Sequence, residues 1–182
     1  MHLDGQDIFV EVDWMTGHRM EETAQNLVIR AFGRHDITLH IDDGCMGGGT
    51  KIDYDGKLSY SEIDDIYANK FATSRHGIFY HCIYADLNGA GDDTVGGEAY
   101  VTGDNFIIYN GCWYADSDTR LRDFMHELGH CLGLEHTPHT YAAGSVPSDA
   151  NTCMNEDKRE TVECHKYEWA SLDYSRNHWD WA

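Results

Sequence analysis

Basic side chains are scarce in this chain: 13 lysines and arginines face 32 aspartates and glutamates, leaving a net charge of −19. Such a surface repels polyanions, so nucleic acid is not an expected partner. The same charge favours a dissolved, monomeric chain that attracts cations or basic substrates. Proline is nearly absent, two residues in 182, and no proline- or serine-rich linker, repeat or low-complexity tract interrupts the sequence. One domain is therefore expected, long enough to bury a genuine core. Nowhere do about 18 apolar residues run together, so no membrane-spanning helix is expected. The opening Met1-His2-Leu3-Asp4-Gly5-Gln6 also lacks the basic and apolar segments of an export signal.

Cysteine is present six times, as Cys45, Cys82, Cys112, Cys131, Cys153 and Cys164, but never in a Cys-x-x-Cys pair of the structural zinc type. An even number fits three disulfides in an exported protein, with Cys153 to Cys164 the first pairing to consider because it would close a short loop. Buried thiols are the alternative for Cys82 and Cys131. Export, with a signal or latency segment missing from this chain, is the expected location, and the cytoplasm is the alternative.

What the chain does carry is His126-Glu127-Leu128-Gly129-His130-Cys131-Leu132-Gly133-Leu134-Glu135-His136. On an α-helix four residues advance about 400°, which puts His126 and His130 about 40° apart on one face, able to grip one ion. Glu127, about 100° from His126, sits beside that ion rather than on it, where a carboxylate can take a proton from water. Gly133 tolerates the left-handed conformation that ends helices and lets the chain turn back to deliver His136. Three protein ligands leave one position of a tetrahedral zinc open, the mark of a catalytic rather than a structural metal. These five residues at these offsets arise by chance in roughly 3 of 10,000 chains of this composition. Leu121, Phe124, Met125, Leu128, Cys131 and Leu132 form the apolar stripe of the same helix, and Ser117, Asp118 or Thr119 is its expected cap. Asp123, one turn before the motif, reads as a solvated acidic residue, with support of the site the alternative.

Upstream, Asp7 to Met15 alternates like a strand, and Met20, Ala24, Leu27, Val28 and Ala31 mark an amphipathic helix. Ile37 to Ile41 reads as a second strand, about Ser61 to Ala72 as a helix and Gly77 to Ala85 as a strand. Glu98 to Val101 and Asn105 to Tyr109 follow as short strands joined by Thr102-Gly103-Asp104.

The motif His-Glu-x-x-His-x-x-Gly-x-x-His resembles the signature of the metzincin zinc endopeptidases. That family also has a methionine turn beneath its metal, and Asn151-Thr152-Cys153-Met154-Asn155 places Met154 18 residues after His136. Some members carry a tyrosine ligand two residues after the methionine. Glu156 stands there, so no tyrosine ligand carries over. The resemblance implies an α/β (α+β) fold: a twisted mixed sheet, an active-site helix, and a cleft below an edge strand at Gly97 to Val101. By the same resemblance residues 1–136 form an upper subdomain and 137–182 a small C-terminal lower one. The chain also resembles a small group of microbial metzincin-like proteins that share its Phe9 to Met15 opening and its Leu172-Asp173-Tyr174-Ser175 ending.

Zinc is thus the expected cofactor, and calcium a second candidate. Lys51 to Glu62 matches an EF-hand loop at its third, fifth, sixth and twelfth positions, but lysine at position one argues for a hydrated turn and a helix capped by Ser59 or Ser61. Asp42-Asp43-Gly44 and Asn88 to Asp93 are further acidic loops. His139 belongs to a cleft rim, His40 and His81 to strands, and nothing selects among Tyr141, Tyr167 and Tyr174. The expected function is zinc-assisted hydrolysis of a protein or peptide substrate with Glu127 as general base. A non-catalytic zinc- or calcium-binding module and a zinc hydrolase of non-peptide amides are the alternatives.

Overall fold

The computed structural model describes residues 6–53, 56–113 and 117–134. Strand β1 (Gln6–Met15) leads through helix α1 (Glu22–Gly33) to β2 (Ile37–Asp42) and two short strands, β3 (Lys51–Ile52) and β4 (Lys57–Leu58). Helix α2 (Tyr60–Asn69) and a 3-10 turn (Thr73–Arg75) precede β5 (Phe79–Ala85), β6 (Leu87–Asn88), β7 (Gly97–Ala99) and β8 (Asn105–Tyr109), and helix α3 (Ser117–Cys131) closes the described chain. The main sheet runs in the order β2-β1-β5-β8-β7, with β3 added to β1. It is mixed: β1 pairs in parallel with β2, β3 and β5, and β5 with β8, whereas β7 pairs antiparallel with β8.

Both faces of the sheet are covered. Val28, Ala31 and Phe32 of α1 and Phe124, Met125 and Leu128 of α3 pack on Val10, Val12, Cys82 and Phe106. On the opposite face Ile63 and Ile66 of α2 meet Met15, Ile83, Ile107 and Tyr109. Double coverage explains why β1 departs from the half-solvated strand that its alternation suggests. Val10 and Val12 face α1 and α3, but Glu11 and Asp13 on the other side are buried as well. Buried carboxylates need counter-charges. Arg75 supplies one, with Nη1 2.8 Å from Glu11 and 2.7 Å from Asp42, and His81 lies 3.0 Å from Asp13.

Three boundaries differ from the sequence expectation for local reasons. Strand β7 ends at Ala99 rather than Val101 because the chain turns there, the Gly103 N–H donating to the Tyr100 carbonyl at 2.8 Å. Helix α2 stops before Ala72 because Phe71 turns into the core, where it stacks on His81 at 4.8 Å. Strand β5 begins at Phe79 rather than Gly77, whose φ of +76° is outside strand geometry.

Of the two readings of Lys51 to Glu62, the helix capped by Ser59 holds and the EF-hand match is not supported. Its first position, Lys51, is in β3, and its last, Glu62, closes the capping box of α2 by accepting from the Ser59 backbone N–H at 2.8 Å and hydroxyl at 2.6 Å. The other acidic loops are satisfied from within. Asp42 accepts from the N–H groups of Gly44, Met46 and Gly48, Asp43 pairs with Arg19 and Gln25, and Asp92 receives Thr94. Carboxylates engaged in this way give no support to calcium.

The expectation of three disulfides is corrected: Cys45, Cys82 and Cys131 carry thiols, and the buried-thiol alternative holds for Cys82 and Cys131. Cys153 and Cys164, like the proposed lower subdomain, lie outside the described residues. No helix among the described residues is long and apolar enough to cross a membrane.

Candidate metal centre

Helix α3 packs along β8 and β7, and this contact carries the motif to the edge of the sheet. His126, Glu127 and His130 are all buried, and one ligand atom from each lies within 4.8 Å of the others. They form the only such group of three metal-binding side chains among the described residues. The Nε2 atoms of His126 and His130 are 3.1 Å apart, with the rings perpendicular.

The end of the helix sets the orientation of His130. The Leu134 N–H donates to the Gly129 carbonyl and the Gly133 N–H to the His130 carbonyl, each at 2.9 Å. This is a Schellman cap, and it places Gly133 at φ +93°, as its sequence position predicts. The same turn brings the Leu134 carbonyl 2.8 Å from Nδ1 of His130. A carbonyl only accepts, so Nδ1 carries the proton and Nε2 presents a lone pair to His126. Two facing ring nitrogens at 3.1 Å repel unless a proton or a cation lies between them.

The pair therefore fits a metal. Two nitrogens on a tetrahedral zinc, each at about 2.05 Å, are separated by about 3.3 Å, close to the distance observed. A Glu127 carboxylate oxygen lies within 4.8 Å of both. Of the other sequence-predicted positions, His136 and Met154 lie outside the described residues, as do His139 and the three tyrosines considered above. Asp123 is corrected: it is buried at 1% exposure rather than solvated, and after burial and Cys82 its charge adds to the upward push on the Tyr84 phenol. His40 and His81 are in strands, as expected, each facing an aspartate.

A cleft of about 440 Å³ opens along the motif. One wall is β7, with Gly97 and Glu98, continued by Tyr100 just after it, and another contains Tyr60 and Asp64 from α2. Gly97 matters because a Cβ there would lie 2.7 Å from Cγ of Glu127, 2.8 Å from its Oε1 and 2.8 Å from the Ile107 carbonyl. The glutamate packs against bare backbone. Glu98 points the other way, accepting from the Tyr109 hydroxyl at 3.3 Å, and its charge is the main cause of a raised Tyr60 pKa. The motif did not select these residues. Only a glycine immediately before a predicted strand hinted at a close approach.

Solved structures with the same fold are found among the archaemetzincins. The archaemetzincin of Methanopyrus kandleri superposes with a TM-score of 0.56 at 15% identity, covering 97% of this chain and 93% of that one. The archaemetzincin of Archaeoglobus fulgidus, solved as a malonate complex, gives a TM-score of 0.51 at 12% identity over 93% of this chain and 96% of that one. No family model and no curated protein sequence matches the chain. At these identities the likeness establishes the mixed α/β fold.

Proposed function

We propose that this chain is a zinc-dependent endopeptidase of the metzincin type. The observation that carries the reading is the convergence of His126 and His130 at 3.1 Å, with His130 oriented by its own helix cap and Glu127 alongside. His126 and His130 would hold zinc together with His136, the third ligand by motif spacing, with Met154 beneath the site by the metzincin resemblance. Bound zinc would supply Lewis acidity, lowering the pKa of water and polarising a scissile carbonyl.

The chain's own part is proton handling and alignment. Glu127, held against Gly97, accepts a proton from the attacking water and returns it to the leaving amine. The edge strand β7 offers unpaired backbone groups along which an extended peptide adds as a further strand, and this favours peptides over other amides.

The test compares wild type with Glu127→Ala for zinc content and for cleavage of a mixed peptide library. Equal zinc with turnover lost from the variant by at least about a hundredfold is expected, since a general base contributes 10²–10⁴. Equal cleavage by both proteins refutes the mechanism, and cleavage of acylated amines but no peptide favours the non-peptide hydrolase.

A further inference from the structure

Side chains on β7 divide by face. Gly97 and Ala99 look towards α3 and Glu127, with Ala99 packed on the core that α3 covers. Glu98 therefore looks towards α2, where Tyr60 and Asp64, together with Tyr100 just beyond the end of the strand, complete the wall of the same cleft. An extended peptide lying along β7 has the same alternation. Every second side chain it presents near the scissile bond meets the Glu98 face.

The chemistry of that face is specific. The Glu98 carboxylate is half-buried and anchored by the Tyr109 hydroxyl at 3.3 Å. Two aromatic rings stand beside it in solvent, Tyr60 at 68% exposure and Tyr100 at 80%. A large aromatic left this exposed next to a fixed carboxylate loses packing unless something fills the space. A cation satisfies both partners, since the carboxylate forms an ion pair and the ring faces attract positive charge. No lysine or arginine is among the described residues lining the cleft. With an overall charge of −19, the long-range field also draws cations in.

We infer that Glu98, flanked by Tyr60 and Tyr100, forms a subsite that binds a lysine or arginine side chain of an extended peptide aligned on β7. This rests on the peptidase reading above and adds the substrate class to it. Glu98 is a specificity residue, with no part in the proton transfer assigned to Glu127.

The experiment uses zinc-loaded full-length protein and matched peptides in which lysine at each position near the bond is replaced by norleucine, its uncharged near-isostere. At one position wild type should prefer lysine by about tenfold in kcat/KM, mostly through KM, in line with a hydrogen bond to a charged group. Glu98→Gln should bring that ratio close to one, and Tyr60→Ala, at an exposed ring that the fold does not need, should reduce it several-fold. In parallel, the Kd ratio of the same two peptides for the zinc-loaded Glu127→Ala protein should show the same preference without any turnover. Wild-type cleavage with no lysine preference, or a preference that survives in Glu98→Gln, overturns the subsite. Absence of all cleavage by wild type overturns the peptidase reading instead, and the Kd ratios then decide the subsite on their own.

Discussion

Substituting alanine at Gly97 isolates the contact between the edge strand and the proposed general base. Gly97 lacks a positive φ, so alanine meets no backbone penalty and the effect is steric. Its methyl carbon would sit 2.7 Å from Cγ of Glu127 and 2.8 Å from the Ile107 carbonyl oxygen. Ordinary carbon contacts lie at about 3.5–4.0 Å, so the overlap approaches an ångström on two sides. Rotating Glu127 relieves only one of them. The Ile107 carbonyl belongs to β8, which is paired with both β7 and β5, so the other is relieved by displacing β7. Overpacking of this kind costs about 1–3 kcal/mol, which lowers Tm by roughly 2–12 °C in a protein of this size. The loss of activity should be larger in proportion, because a shift of about 1 Å in a reacting group costs on the order of 100-fold. The assay is kcat and KM on a cleaved peptide, with zinc content and a thermal melt on the same samples. The expected result is zinc retained, Tm modestly lowered, and kcat reduced by about two orders of magnitude. Unchanged kcat and Tm would falsify the proposed packing of Glu127 on Gly97, and loss of zinc would show that the helix moves rather than the side chain.

Two further outcomes follow from buried charge and burial. Asp42 is fully buried; burial alone raises its carboxyl pKa, but the N–H groups of Met46, Gly48 and Gly44 together with Arg75 outweigh it and hold it below the usual range. A depressed folded pKa contributes stability above the unfolded value of about 3.9 that is lost as pH falls through the folded one. The stability gap between wild type and Asp42→Asn should therefore be present at pH 5 and narrow below about pH 4 in melts taken down to pH 2; a gap independent of pH removes the argument. Glu11 works with the opposite sign, since burial raises its pKa despite Arg75. Thiol reactivity should divide by exposure: in the native protein an alkylating reagent followed by peptide mass mapping should label exposed Cys45 well before buried Cys82, whose thiol burial pushes far up. Equal labelling rates would contradict the burial of β5.

Much of the molecule was legible because the signals are local. Helix α3 and its end follow from residues spaced within one or two turns, so the offset of His126 from His130 and the demand for a left-handed residue at Gly133 are already present in eleven consecutive positions. The same holds for α1, whose apolar period matches its buried face, and for α2, whose capping box joins Ser59 to Glu62. Glu11 and Asp13 were misleading for the opposite reason: alternation with valine implies a solvated face, yet their partners Arg75 and His81 come from more than sixty residues downstream. The acidic loops were misleading in the same way, since what fills a carboxylate is decided by which N–H groups the fold brings to it.

The pairing of two histidine donors, His126 and His130, with the adjacent base Glu127 is written into one helix, because helical geometry is a property of consecutive residues. Tertiary structure alone decided what that set faces. It brought Gly97 against Glu127 and put Glu98 beside two exposed tyrosines. Strand register and layer packing are interactions between segments tens of residues apart, and no local pattern specifies which side chain will close the other wall of the cleft.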